Sequence, residues 1–281
     1  MTELLLPGPL VDVAWLAAHR GHPQLVVLDA HMALPGSVAD DAPVVRIAGA
    51  RRFDFDGEIR DASQTLPHMM PSAQQFTAQV RALGINSDSV LVAYDRVGMF
   101  SAARALWMWR AMGHSRVAVL DGGLPAWHKA GCAVEPARAY DGPPGDFSAR
   151  PVDGLFCDGD EVAAALASGQ RPLIDARSAG RFAGQEAEPR PGVRSGHMPG
   201  ALNLPYGELL DNGHFRSPQA LRERFASLIG NRQAPLLSCG SGVTACILAL
   251  AAELAGYSGM SVYDGSWADW GSDPQRPVVS G

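Results

Sequence analysis

Cysteine is scarce in this chain: four residues in 281, Cys132, Cys157, Cys239 and Cys246, with no Cys-x-x-Cys pair and no zinc-type spacing against the eight histidines. That pattern argues against a disulfide-stapled scaffold or a structural zinc site, and the four are expected as free thiols in a reducing compartment. Long hydrophobic runs are missing too. No stretch approaches the roughly 20 apolar residues of a membrane span. Met1 to Pro9 carries Leu4, Leu5 and Leu6 but no basic segment and no long apolar core, so a secretory signal is not expected and the cytoplasm is. Basic charge is in deficit, 23 Lys and Arg against 29 Asp and Glu for a net −6. This argues against a nucleic-acid or anionic-membrane partner, either of which calls for a basic face. A local arginine pair can still hold a small anionic substrate. What is present, 47% hydrophobic and 19% charged residues, is the balance of a folded globular protein, and the length suggests two domains.

The second half repeats the first. Leu28-Asp29-Ala30 recurs as Ile174-Asp175-Ala176, and Gly49-Ala50 as Gly200-Ala201. Leu120-Asp121-Gly122 with Trp127 recurs as Tyr263-Asp264-Gly265 with Trp270. A displacement of about 145 residues is too long for a solenoid and implies duplicated domains. Between the copies, Glu135 to Asp153 holds Pro136, Pro143, Pro144 and Pro151 and reads as a linker, giving domains over 1–140 and 150–281. Leu25–Leu28, Val90–Ala93, Val117–Leu120, Pro172–Ile174 and Leu236–Ser238 have the composition of buried strands. Ala73–Leu83, Ser101–Met112, Ala220–Leu228 and Thr244–Leu254 have helical periodicity. The alternation predicts an α/β fold around largely parallel sheets.

The sharpest local signal is Leu237-Ser238-Cys239-Gly240-Ser241-Gly242-Val243-Thr244-Ala245, a cysteine between an apolar strand and a helical run. Backbone N–H groups and a helix N-terminus at such a junction favour the thiolate, the form that attacks. Gly240 and Gly242 let a loop close around one atom. A buried structural cysteine beside a turn is the alternative. Cys246, inside the helical run, reads as core, and Cys132 and Cys157 as packing or loop residues.

This loop, with His197-Met198-Pro199-Gly200-Ala201 and Asp175-Ala176-Arg177…Arg181-Phe182…Glu188-Pro189-Arg190, resembles the 3-mercaptopyruvate sulfurtransferases, a branch of the tandem rhodanese-like family. The resemblance covers nearly the whole chain. It implies two rhodanese-like domains, each a largely parallel sheet flanked by helices, with the C-terminal copy catalytic. Asp95 stands at the N-terminal position matching Cys239, so the first domain is expected to be non-catalytic. The implied reaction moves sulfur from 3-mercaptopyruvate through a Cys239 persulfide to a small thiol, cyanide or a thioredoxin-like dithiol, with no metal or organic cofactor. Thiosulfate as donor, and a non-catalytic sulfur-carrier or binding module, are the alternatives. A phosphatase of the Cys-x5-Arg type is disfavoured, because Ala245 stands where the phosphate-binding arginine would be.

A mercaptoacid brings a carboxylate, which an arginine fork grips through two charge-assisted bonds. The resemblance assigns this work to Arg181 and Arg190; the rival reading makes them solvated loop charges in a segment that also holds Arg177 and Arg194. It also implies that Gly240, Gly242, Val243 and Thr244 line the substrate, and that Ser241 joins a Ser-His-Asp relay with His68 and Asp56. Asp54 is an alternative to Asp56 there. Such a hydroxyl polarises a carbonyl or manages the proton as pyruvate enolate leaves. His197 is read as structural, His19 and His22 are unconvincing as metal ligands, and Trp127 and Trp270, matched in both copies, are read as packing.

Overall fold

The apolar runs become the strands of two parallel sheets in the computed structural model, which describes residues 3–33 and 44–281. The chain divides into two units: Met1–Ala62 with Met70–Val152 and Asn212–His214, and Ser63–Met69 with Asp153–Asp211 and Phe215–Gly281. His68 thus groups with the second unit, although it lies within the first 140 residues of the sequence.

In the first unit the strands are β1 (Leu10–Val11), β2 (Leu25–Asp29), β3 (Val45–Ile47), β4 (Arg51–Arg52), β5 (Val90–Tyr94), β6 (Val117–Leu120) and β7 (Val134–Pro136). Its helices are α1 (Val13–His19), α2 (Ala73–Ala82), α3 (Ala102–Ala111) and α4 (Gly123–Lys129). The main sheet runs β1-β6-β5-β2-β4, with every pairing parallel. Capping starts α2 where the pattern predicts it: Ser72 Oγ accepts from Gln75 N while Ser72 N donates to Gln75 Oε1, and Phe76 and Val80 are buried. Glu135 to Asp153 is no free spacer. Its start pairs with β3 through β7, Phe147 packs against Trp109, and Arg150 N and Val152 N donate to the end of α3 and the residue after it, so the first unit continues to Val152.

The second unit has β8 (Phe156–Cys157), β9 (Leu173–Asp175), β10 (Leu202–Asn203), β11 (Leu210–Asp211), β12 (His214–Phe215, of which His214 falls in the first unit), β13 (Leu236–Ser238) and β14 (Ser261–Tyr263). Its helices are α5 (Gly159–Ser168), α6 (Ala179–Phe182), α7 (Pro218–Ile229), α8 (Ala245–Leu254) and α9 (Ser266–Trp270). The sheet order β10-β9-β13-β14-β8, again all parallel, reproduces the first unit strand for strand: β4, β2, β5, β6 and β1. The fold is therefore a duplicated parallel α/β domain. Helix α8 is buried from Ala245 to Ala252, as a helix apolar all round must be. Trp127 and Trp270 each sit in a core cluster and each donates its indole N–H to a backbone carbonyl, of Ala133 and Pro277 respectively, which makes both packing residues. Among the described residues no helix is long and apolar enough to cross a membrane.

Candidate active site

Strand β13 lies between β9 and β14 in the middle of its sheet, with Leu237 opposite Ile174 and Val262. Its C-terminal end delivers Cys239 to the edge of the sheet, the place where open parallel sheets bind ligands. The loop from Cys239 to Thr244 then turns into α8. Gly242 takes φ 73°, a left-handed conformation natural to glycine. Gly240 lies close under Arg181: a Cβ there would be 3.0 Å from Arg181 Nη2. Cys239 is 2% exposed, Ser241 and Val243 are buried, and Gly240 and Thr244 are partly exposed.

The loop is pinned from below by α9. Trp267 N donates to Cys239 O at 3.0 Å and Ala268 N to Gly240 O at 2.9 Å. Cys239 N (3.2 Å) and Gly242 N (3.0 Å) both donate to Ser266 Oγ.

Two guanidinium groups reach the loop. Arg190 Nη2 stands 3.4 Å from Ser241 Oγ, and Arg181 borders Gly240. Arg181 comes from the short helix α6, whose first turn is capped by Ser178. The next residue, Phe182, stacks on His197 at 3.8 Å between ring centroids, and His197 Nδ1 is bonded to Phe182 O at 2.8 Å. His197 N and O also bridge to Val279, so this histidine anchors α6 as a structural residue.

One edge of the Arg181 fork is already engaged: Nε and Nη2 donate to Glu188 at 3.2 and 2.5 Å. Glu188 in turn accepts from Arg177 Nη1 at 2.8 Å. Arg177 is 2% exposed, forked onto Asp175 at 2.7–3.1 Å and stacked over Trp267 at 4.3 Å. Burial works against its charge, but Asp175 and then Glu188 outweigh that and push the guanidinium further above its ordinary range. Arg177 and Arg194 are therefore not loop charges in solvent, for Arg194 donates to the carbonyls of Trp270, Gly271 and Asp273.

His68 is buried with φ 61°. Asp54 accepts from Arg52 at 2.8 Å and from Gly57 N, while Asp56 is exposed. Burial pushes the Cys157 thiol up to about 11, and Cys246 Sγ donates to Gly242 O from inside α8. Among the described residues no cluster of three or more His, Cys, Asp or Glu side chains is placed to hold a metal ion.

The first unit supplies the contrast. Asp95 follows β5 as Cys239 follows β13, and Leu124 N bonds Asp95 O as Trp267 N bonds Cys239 O. The fully buried Asp95 carboxylate accepts from the N–H groups of Val97, Phe100, Ser101 and Ala102, so the loop's own side chain fills the space it encloses.

Sequence reasoning gave no role to Glu188 or to Ser266. The one signal for Ser266 was its place in the repeat, where Asp121-Gly122 is followed by Gly123 and Asp264-Gly265 by serine.

Residues 12–130 and 158–273 each match the Rhodanese-like domain. Over 273 residues the chain is 37% identical to the 3-mercaptopyruvate sulfurtransferase of Escherichia coli (strain K12), covering 95% of this chain and 96% of that protein. Over 283 residues it is 38% identical to the thiosulfate sulfurtransferase of Cricetulus griseus, covering 96% and 94%. The crystal structure of SseA from Escherichia coli, described with the rhodanese fold of 3-mercaptopyruvate sulfotransferases, superposes with a TM-score of 0.82 at 35% identity, over 92% of this chain and 98% of that one. The duplicated sheet, the loop at the end of its central strand and these likenesses together make the chain a member of the rhodanese family, a sulfurtransferase with two rhodanese-like domains in tandem.

Proposed function

We propose that the protein moves sulfur from 3-mercaptopyruvate to a thiol-type acceptor through a persulfide on Cys239. The observation that carries this reading is the pair of arginines bordering the nucleophile's loop, Arg181 at Gly240 and Arg190 at Ser241. A carboxylate held there sets the donor's sulfur against Cys239. The Cys239 thiolate attacks that sulfur, the carbon–sulfur bond breaks, and its electron pair leaves on carbon as pyruvate enolate, which takes up a proton. Ser241, His68 and Asp56 are proposed to manage the carbonyl and that proton. Asp54, which accepts from Arg52 and Gly57 N, is the alternative to Asp56 in that relay. Gly240, Gly242, Val243 and Thr244 are proposed to frame the donor. In the second half-reaction an acceptor thiolate attacks the outer sulfur and releases Cys239. Small thiols, cyanide and a thioredoxin-like dithiol are the proposed acceptors, and no cofactor is invoked. The first domain, its loop filled by Asp95, is proposed as a non-catalytic scaffold. Four cysteines outside any disulfide suit the reducing cytoplasm.

A second reading, thiosulfate as donor, is favoured by the similarity to the Cricetulus griseus enzyme. Thiosulfate is a compact dianion that calls for cations beside the nucleophile, and between Cys239 and Ala245 there is neither lysine nor arginine. The expected result is a higher kcat/KM for pyruvate release from 3-mercaptopyruvate than for sulfur release from thiosulfate. The reverse ratio would replace the proposed donor.

Arg190→Ala is expected to lower kcat/KM for 3-mercaptopyruvate by roughly 10- to 100-fold, the value of one charge-assisted bond, while Cys239 remains open to alkylation. Arg181→Ala is expected to have an effect of the same direction, but it also takes a partner from Glu188, so Arg190 gives the cleaner measurement. Unchanged kinetics in Arg190→Ala would remove that residue from the donor site.

A further inference from the structure

We infer that Ser266 is a positioning residue for sulfur transfer, holding the nucleophile's loop closed through a single hydroxyl. The inference rests on the persulfide reading above. Ser266 Oγ donates to Tyr263 O at 2.8 Å, at the end of β14, so its one proton is committed to the backbone. The same oxygen accepts from Cys239 N and from Gly242 N. One atom thus ties both ends of the Cys239–Gly242 turn to the neighbouring strand. With the α9 N–H groups on the Cys239 and Gly240 carbonyls, both edges of the turn are fixed. The Cα–Cβ direction of Cys239, and so the line along which its sulfur meets the donor, follows from that clamp. The role is one of aim, since Ser266 has no proton left to offer the sulfur.

The duplicated domain supplies an internal control. Ser266 is fully buried and has φ 51°, a conformation that disfavours side chains. The matching residue of the first unit is Gly123, with φ 53°. A Cβ on Gly123 would lie 2.6 Å from Asp95 O and 2.7 Å from Gly98 O. The copy with Asp95 in place of the cysteine therefore uses the residue this backbone prefers. The copy with the cysteine keeps a serine under strain, and the hydroxyl is what it gains.

The test compares the parent with Ser266→Gly, which suits the backbone and removes only the hydroxymethyl group, and with Ser266→Ala. Three readouts are taken: sulfur added to Cys239 by 3-mercaptopyruvate alone, thermal unfolding, and steady-state kinetics normalised to titrated Cys239. Both variants are expected to fold and still take one sulfur, with kcat lowered about tenfold or more and KM for the donor within about threefold of the parent. Parent-like kcat in the folded Ser266→Gly protein would overturn the inference. So would failure of Ser266→Gly to fold, because the hydroxyl would then be holding the domain rather than aiming the loop. A parent protein that takes no sulfur is a separate outcome, and it defeats the persulfide reading itself.

Discussion

Mixed with 3-mercaptopyruvate and no acceptor, the protein will gain the mass of one sulfur atom, and a thiol reductant will remove it. Cys239→Ser will gain nothing, and its turnover will fall by at least about 10³-fold, the scale on which loss of a covalent nucleophile is felt. Of the four thiols, only Cys239 stands at the C-terminal end of a central strand with a helix opening beyond it. Cys157 is held near 11 by burial, so at neutral pH it stays a thiol, and it gains reactivity only as the pH approaches that value. Cys246 lies inside α8, and Cys132 is in the link between α4 and β7 of the first unit. Intact-mass analysis followed by peptide mapping decides the matter. An adduct on Cys132, Cys157 or Cys246, or none at all, would end the assignment of Cys239.

The second large effect is on stability. Arg177→Met will lower the unfolding free energy by about 3–5 kcal/mol, because it strands the Asp175 carboxylate in the interior without its cation and leaves Glu188 with Arg181 alone. Asp175 is fully buried and the Glu188 side chain is 4% exposed, so water cannot replace the guanidinium. The melting temperature should drop on the order of 10–20 °C. Arg177→Lys keeps the charge but loses the planar fork that serves Asp175, Glu188 and the Gly196 carbonyl together, and it should fall between parent and Met. The loss should reach the site as well: Glu188 steadies both Arg177 and Arg181, so freeing it from Arg177 loosens the arginine that borders Gly240. A melting temperature for Arg177→Met within two or three degrees of the parent, by calorimetry, would show that the network does not hold the unit together.

Much of the site was legible because its parts are contiguous. A nucleophile loop is one short segment between a strand and a helix, and Cys239 to Ala245 carries its glycines and its buried helix start in unbroken order. The repeat made the fold legible in the same way, since β2, β5, β6, β9 and β13 each announce themselves by local composition; β14, three residues long, did not. The arginines were less clear. Arg177, Arg181, Arg190 and Arg194 look alike in one polar segment, yet one is forked onto buried carboxylates, one clamps carbonyls and two border the loop. Glu135 to Asp153 has the composition of a spacer, but Phe147 and the backbone bonds of Arg150 and Val152 bind it to the first unit.

The chain's composition, its duplication and the Cys239 loop determined the fold class and the atom proposed to carry the sulfur. Those properties are written in periodicities and motifs within a dozen residues, where propensity and local hydrogen bonding act. Which charges are buried, which carboxylate fills the loop of the first unit and which hydroxyl holds the loop of the second were decided only by tertiary structure. Ser266 lies 27 residues beyond Cys239 and meets it because β13 and β14 pair side by side. Glu188 faces Arg177 and Arg181 because the segment after α6 turns back on itself, and burial is what makes the loss of either partner costly. A side chain's partner across a sheet is set by strand order and register, and neither is recorded in the residues that flank it.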